Sequence, residues 1–293
     1  MAKTTACART INEPLRGLVA LTSDYIVRNW QSNTAEEFID MPRVGDDPNA
    51  PPTEGDFNVA ETAVQDPRSC NVLIGTCCEP VIGVTYFGTN TDGSPKYAMG
   101  RLPVVSPSGD SVAFLAYESI NISTLDKPDE TVASIAFPDA TLLMVKELRW
   151  IDDENLAVLA VGSKGSFLYL VSVKNSTVSS AELLAADTTS SEGNFSDVGI
   201  AGLSDDGNLW TRRSDLSSSA GSLLELRDAT DLSRVIRTDA LPDRPLSYTI
   251  RNGVVVWLHA DGTLQVTAPQ VSPTPGGSEW FSVTLPGTYV WAD

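Results

Sequence analysis

Residues 102–125 constrain the fold more than any other part of this chain. An apolar run leads into a turn that spans Ser106 and Gly109, an alternating run follows from Ser111 to Tyr117, and a further short run ends the segment. This order predicts strands of an antiparallel meander. Weaker copies follow at a spacing of roughly 45 residues, which leaves room for about four strands in each copy.

The two ends of the chain predict how these units are completed. Residues 17–41 contain only three predicted strands, whereas residues 287–293 form one predicted strand without a partner of its own. Pairing this last strand with residues 17–22 completes the unit and removes an open edge. We therefore predict an all-β chain that forms a six-bladed β-propeller of four-stranded antiparallel blades, closed into a ring by the C-terminal strand. Five or seven blades are the alternatives.

Domain organisation follows from the absence of any break in composition. A chain of 293 residues with 42% hydrophobic content can bury a large core, and no change of composition divides it. We predict an irregular lead-in at residues 1–16 and a single propeller domain at residues 17–293.

The charge of the chain argues against two classes of partner. Its 38 acidic and 20 basic residues give a formal net charge of -18. Such a surface repels phosphate backbones and anionic lipid heads, so we predict no nucleic-acid binding. Because no run of eighteen apolar residues occurs, we also predict no membrane insertion. The first residues contain no apolar segment of signal-peptide length, so we expect either no export signal or a mature segment that has lost one.

Residues 103–114 carry a resemblance to a known family. The sequence PVVSPSGDSVAF resembles the WD-like repeats of TolB-type β-propellers, with Ser106, Pro107 and Gly109 in matching positions and Ser108 in place of the usual Asp. Residues 70–87 also look like a segment of some bacterial secreted proteins of this type. The resemblance implies a propeller fold and a secreted, periplasmic or cell-surface location. It implies no particular ligand, because such propellers host many functions.

The four cysteines are the sharpest local feature. If residues 71–76 form one straight strand, Cys70 and Cys77 lie about 20 Å apart and cannot form a disulfide. In a propeller, Cys70 shares a face with the entry to the first blade, so we predict a Cys7–Cys70 disulfide. For Cys77 and Cys78, a vicinal disulfide, two free thiols, and a metal or redox role are the open alternatives.

Other candidate residues give little support for catalysis. His259 is the only histidine and shows no general-base partner in the sequence. No Gly-x-Ser-x-Gly motif is present. We predict no catalytic set, no metal site and no cofactor, with Ca²⁺ at paired carboxylates such as Asp152 and Asp153 as a weaker alternative to simple turn formation.

The functional prediction is a non-enzymatic, extracytoplasmic protein-binding or assembly module. Loops on a rigid scaffold commonly carry binding residues, and a set of equivalent connections defines a candidate rim. Its predicted residues are Cys77, Cys78, Glu79, Lys164, Arg212, Arg213, His259 and Asp261. The alternatives are a propeller glycoside hydrolase or lyase, a carbohydrate-binding protein, and a structural subunit of an extracellular assembly. The sequence leaves the oligomeric state open.

Overall fold

The computed structural model describes residues 7, 9–24, 26–39, 59–77, 83–89, 91–93, 95–117, 119–136, 143–162, 165–185, 198–214, 222–241, 245–270 and 279–293. These residues form two compact units. The first contains residues 1–8, 15–134 and 289–293, and the second contains residues 9–14 and 135–288. No helix in the described ranges is long and apolar enough to cross a membrane.

Regular structure in the described residues consists of β-strands, which alternate with turns as the sequence predicts. The strands up to residue 136 are β1 (Val19–Thr22), β2 (Val27–Trp30), β3 (Glu36–Ile39), β4 (Val59–Gln65), β5 (Val72–Cys77), β6 (Val84–Thr89), β7 (Pro95–Met99), β8 (Arg101–Val105), β9 (Ser111–Ala116), β10 (Ser119–Thr124) and β11 (Thr131–Ala136). Those that follow are β12 (Leu143–Trp150), β13 (Asn155–Gly162), β14 (Gly165–Ser172), β15 (Thr177–Ala185), β16 (Val198–Leu203), β17 (Leu209–Ser214), β18 (Ser222–Asp228), β19 (Asp231–Leu241), β20 (Ser247–Arg251), β21 (Val254–Leu258), β22 (Leu264–Gln270), β23 (Glu279–Leu285) and β24 (Tyr289–Ala292).

The strands pair in antiparallel groups of four. Three sheets have the order β4-β5-β6-β7, β8-β9-β10-β11 and β12-β13-β14-β15. A fourth has the order β24-β1-β2-β3, with Ala20 opposite Ala292 and Leu21 opposite Trp291. This pairing of the last strand with the first was predicted from the chain ends and is present in the structure.

The remaining eight strands form one sheet that consists of two such groups. Strands β16 to β19 and β20 to β23 are each antiparallel, and one parallel bridge between Gly202 and Ile250 joins them. A Cβ atom built on Gly202 would lie 2.2 Å from the carbonyl oxygen of Ile250, and Gly202 has φ of +120°. Only glycine therefore permits this close approach.

The turn in the most regular repeat is built by its own side chains. The N–H of Gly109 donates to the carbonyl of Ser106 at 2.8 Å, and the buried Ser106 hydroxyl accepts from the N–H of Ser111 at 3.1 Å. Gly109 has φ of +74°, a conformation that glycine adopts without strain. The turn that starts at Ser204 has the same closure, with the N–H of Gly207 donating at 2.9 Å. The repeated turn residues therefore mark structurally similar connections.

Strand β13 is buried along most of its length. In β13, residues 156–161 are all buried, with Leu156, Val158 and Leu159 fully inaccessible. Both faces of this strand are covered, which explains its continuous apolar sequence. One of its faces belongs to a cluster with Leu168, Val198 and Leu209.

First strands share a different irregularity, a break in register of the bulge type. These breaks occur within β4, β8, β12, β16 and β24, each against the next strand in its sheet. A bulge leaves an extra residue outside the ladder and redirects side chains locally. The repeats therefore share more than their strand count.

Candidate interaction site

The structure describes only part of the predicted rim. Cys78, Glu79 and Lys164 lie outside the described residues, and of Cys77 only the backbone at the end of β5 is described. Arg213 lies in β17, and His259 and Asp261 lie in the connection from β21 to β22. The described rim residues therefore come from the second unit apart from Cys77.

Arg212 does not contribute to an exposed surface. Its side chain is 7% accessible and lies 3.8 Å from the carboxylate of Glu147. It also covers Gly199, where a Cβ atom would lie 2.5 Å from the guanidinium. Strand alternation places its neighbour on the opposite face. There Arg213 bonds Glu225 at 2.8 Å, and its side chain is 31% accessible.

His259 belongs to a stack of rings rather than to a solvated turn. Its ring stacks on Trp257 with centroids 5.0 Å apart and planes 9° from parallel. The two residues are two positions apart at the end of β21, so both project from one face of the sheet. Tyr248 lies directly opposite Trp257 on β20 and meets it edge to face, with centroids 5.5 Å apart. An edge-to-face contact is a favoured arrangement for aromatic rings.

Hydrogen bonds hold this stack in place on one side. Nε2 of His259 lies 3.2 Å from Oε1 of Gln265, which is opposite Trp257 on β22. The amide nitrogen of Gln265 donates to the Ser282 hydroxyl at 2.9 Å. The indole nitrogen of Trp257 is buried and finds no hydrogen-bond acceptor within the described part of the chain. A buried N–H without an acceptor is unfavourable.

Charged residues of β19 continue the same surface. Arg237 lies over the ring of Trp210 at 5.7 Å from its centroid and bonds Asp239 at 2.7 Å. Burial raises the pKa of Tyr248, and the nearby charge of Asp239 raises it further. Asp239 therefore links Arg237 to Tyr248. We call Trp210, Arg237, Asp239, Tyr248, Trp257, His259 and Gln265 the Trp257 cluster.

Members of the Trp257 cluster pack against buried apolar residues. Tyr248 and Ile250 pack against a buried group of Ala201, Trp210, Leu224 and Leu241. In the adjacent turn, the carboxylate of Asp261 accepts from the N–H of Thr263 at 2.8 Å. Hydrogen bonds from Thr263 lower the pKa of Asp261 below its ordinary value, and the charge of His259 acts in the same direction. The cluster is thus preorganised, with rings and polar groups at fixed positions.

Sequence reasoning found only His259 and Asp261 at this site. Trp257 and Tyr248 were not among the predicted rim residues. Both are only partly buried. The signal that could have found them is the spacing of Trp257 and His259, since alternate positions of a strand share a face.

Charged side chains also bridge neighbouring first strands. Arg101 on β8 lies 3.7 Å from Glu61 on β4, and burial raises the pKa of Glu61 despite this neighbour. On β12, Lys146 donates to the carbonyl of Val198 at 3.1 Å, and Glu147 accepts from the N–H of Ile200 at 2.7 Å. No group of three metal-ligating side chains occurs among the residues described.

Cys7 and Cys70 form a disulfide, the pair that the sequence analysis predicts. Their Cα atoms are 5.5 Å apart, within the usual range for disulfides. The bond joins the N-terminal lead-in to the turn between β4 and β5, and Cys7 is buried. The proposed vicinal pair of Cys77 and Cys78 lies outside the described side chains and stays a prediction.

Comparison with solved structures supports the architecture. The chain is similar to a chain in the crystal structure of a mitotic checkpoint complex, with a TM-score of 0.56 and 11% identity over 92% of this chain and 78% of that one. It is also similar to a proposed 6-phosphogluconolactonase from Bacteroides fragilis, with a TM-score of 0.51 and 11% identity over 95% and 84% of the two chains. The β-propeller domain of Myceliophteria thermophila Cps50 (Swd1) matches at a TM-score of 0.46 and 10% identity, over 71% and 65%.

The fold is propeller-like. The successive four-stranded antiparallel sheets and the structural matches agree on this point. At these identities the similarity concerns fold alone, because one fold hosts many unrelated functions. No protein-family model matches the chain, and no curated protein matches its sequence.

Proposed function

We propose that this chain is a six-bladed, extracytoplasmic β-propeller that binds a protein partner without catalysing a reaction, and that the Trp257 cluster is its contact surface. The observation that carries the proposal is the stack of Tyr248, Trp257 and His259, whose three side chains are partly exposed on one surface.

The ring is inferred from the arrangement of strands. The 24 strands in the described residues divide into six antiparallel groups of four, counting the eight-stranded sheet as two groups. Five of the six groups have a register break in the first strand, and β24 completes the group of β1. Repetition around one axis is the way in which sheets of this kind cover their faces. On this proposal residues 17–293 form one domain.

A protein partner is inferred from the chemistry of the cluster. Tryptophan, tyrosine and arginine dominate the residues that contribute most to protein interfaces. The rings here are already held by stacking and by one hydrogen bond between His259 and Gln265, so little conformational entropy is lost in ordering them when a partner binds. Polar groups such as Arg237 and Asp239 border the rings, as the rim of an interface requires.

The extracytoplasmic location is inferred from the disulfide. Such bonds persist in oxidising compartments and are rare where glutathione and thioredoxin keep thiols reduced. Trapping thiols with an alkylating agent in intact source cells, followed by peptide mapping, tests this location. We expect Cys7 and Cys70 to be recovered as one cross-linked peptide pair. Recovery of both as alkylated thiols would contradict the location.

The binding proposal is tested by comparing variants in quantitative capture. Immobilised wild-type protein is exposed to the extracytoplasmic fraction of its source, alongside Trp257→Ala and His259→Ala. The matched control is Val132→Ala, because Val132 is 70% exposed on β11, outside the cluster. We expect a set of proteins that the wild type and the control capture equally and that both cluster variants lose by at least about tenfold. A captured set that is identical for all four proteins would contradict the proposed surface.

A further inference from the structure

Strand β19 differs from the other outer strands of the structure. It is the longest of them at 11 residues, whereas β3, β7, β11, β15 and β23 have 4, 5, 6, 9 and 7 residues. It pairs with β18 on one side, and no described strand pairs with its other side. Residues 233–238 are all exposed, including Val235 at 40% and Ile236 at 47%. An exposed edge strand presents a row of backbone donors and acceptors that favours pairing with another strand.

The register of β19 gathers its charges on one face. Arg237 lies opposite Leu226, whereas Val235 lies opposite Arg227, so Ile236 is an extra residue in the ladder. Because Leu226 and Arg227 point to opposite faces of β18, Val235 points away from the face of Arg237. A second break in register lies between Arg227 and Asp228, so residues 232–234 are also extra in the ladder. The contact of Arg234 with Asp228 at 3.2 Å places its side chain on the face of Arg237, since Asp228 and Leu226 are two residues apart.

We propose that β19 pairs antiparallel with β19 of a second copy of this chain and forms a two-fold symmetric dimer. With the symmetry axis between Ile236 and Arg237, Arg234 of each copy lies opposite Asp239 of the other. Directly opposite residues share a face, and opposite charges at such positions attract. A two-fold axis makes the contact twice, since the same surface is used by both copies.

Charge selects this register over its neighbours. Moving the axis to lie between Val235 and Ile236 places Arg234 opposite Arg237 twice, and moving it onto Arg237 places two copies of that arginine together. Like charges directly opposite are destabilising. An axis through Ile236 brings no opposite charges together. Among these four registers, only the proposed one places an arginine opposite an aspartate.

The dimer is expected to be weak and reversible. Its pairing involves about six residues of each chain, which buries less surface than a standard stable interface. The formal net charge of -18 on each copy also opposes association, an effect that salt reduces. The inference concerns association of the chain with itself. The contact includes Asp239, which also belongs to the Trp257 cluster, but it requires no partner other than a second copy.

Sedimentation equilibrium on the purified chain, at roughly physiological salt and from about 5 to about 300 µM, tests the dimer. The variants are Arg234→Asp and Asp239→Arg, measured separately and as an equimolar mixture. Each variant alone brings like charges together, so we expect at least about tenfold weaker association. In the mixture both contacts are again between opposite charges, so we expect a heterodimer of wild-type affinity. Val132→Asp, on the exposed strand β11, is the matched surface control and should leave dimerisation unchanged.

Two measurements separate the dimer contact from effects on folding. Circular dichroism and thermal melting of each variant should match the wild type, because the ion pairs that Arg234 forms with Asp228 and that Asp239 forms with Arg237 lie at the surface. Native mass spectrometry of the mixture identifies which chains associate. A wild type that stays monomeric throughout the range, a dimer that Arg234→Asp leaves intact, or a mixture that stays monomeric while the wild type dimerises would each overturn the proposal.

Discussion

Strands β13 and β19 have nearly opposite environments within the same unit. Residues 156–161 of β13 are buried on both faces, whereas residues 233–238 of β19 are exposed on both faces. The sequence of β13 is correspondingly apolar without interruption, and that of β19 mixes charged and apolar residues. Position within a four-stranded group, rather than strand propensity, therefore decides which residues stabilise the fold and which remain available for contacts.

The same contrast applies to ion pairs. Glu225 and Arg227 of β18 bond each other with side chains only 5% accessible, and Arg213 also bonds Glu225. The Arg237 and Asp239 pair of β19 is 63% and 37% accessible. Buried charges depend on their partners, whereas exposed pairs contribute little to stability.

The largest expected effect comes from removing the centre of the buried network. We expect Glu225→Ala to lower the free energy of unfolding by about 3–5 kcal/mol, because it leaves two arginines without their shared carboxylate. Asp239→Ala, the exposed counterpart, should lower it by less than about 0.5 kcal/mol. Urea unfolding followed by circular dichroism measures both. Equal losses for the two variants would remove the distinction between inner and outer strands.

A smaller effect is expected from apolar truncation on the two strands. Leu159 of β13 is fully buried, so Leu159→Ala should cost about 3 kcal/mol through lost burial and the cavity it leaves. Ile236→Ala on β19 removes a side chain that is 47% exposed and should cost less than about 1 kcal/mol. The same urea titrations compare the two. At concentrations where the chain is monomeric, a cost for Ile236→Ala as large as that for Leu159→Ala would show that β19 is covered within its own chain and would contradict the comparison.

The charged side chain of Glu61 on the first strand β4 is more accessible than that of Glu225 and less accessible than that of Asp239. The dependence of stability on pH tests its contribution. Burial raises its pKa in the folded state, so its contribution to stability is present below the pKa of the unfolded chain and is lost as the pH rises through the folded value. Glu61→Gln should therefore be more stable than the wild type near pH 7, by up to about 1 kcal/mol, and equal to it near pH 4. A variant that is less stable near pH 7 would show that the Arg101 contact outweighs burial.

The smallest effect is expected at Asp261, an exposed residue whose carboxylate is nevertheless hydrogen-bonded. Its folded pKa is lowered, so its stabilising contribution is present above the ordinary pKa of the residue and is lost as the pH falls through the lowered value. Asp261→Asn should reduce the melting temperature slightly near neutral pH and leave it unchanged in strong acid. A reduction that is the same at both pH values would assign the effect to the turn backbone instead of to the charge.

Local patterns predicted much of the fold because turns and alternation act over short distances. The turn at Ser106 and the pairing of the last strand with the first followed from Gly109 and from the count of strands. The bulges in the first strands could not be predicted, because they depend on how neighbouring sheets approach.

The site was less predictable for a similar reason. His259 and Asp261 were found because they flank a turn, whereas Arg212 was placed on the surface although tertiary packing buries it against Glu147 and Gly199. Asp239 and Arg237 join the Trp257 cluster from another strand group, a proximity that sequence spacing does not contain.

Small-angle X-ray scattering of the monomeric chain tests most directly the proposal that the six strand groups form one closed ring. A single compact domain of 293 residues should have a radius of gyration of about 19 Å and a distance distribution with one maximum. A clearly larger radius with a second maximum would show two separate bodies and would contradict the ring.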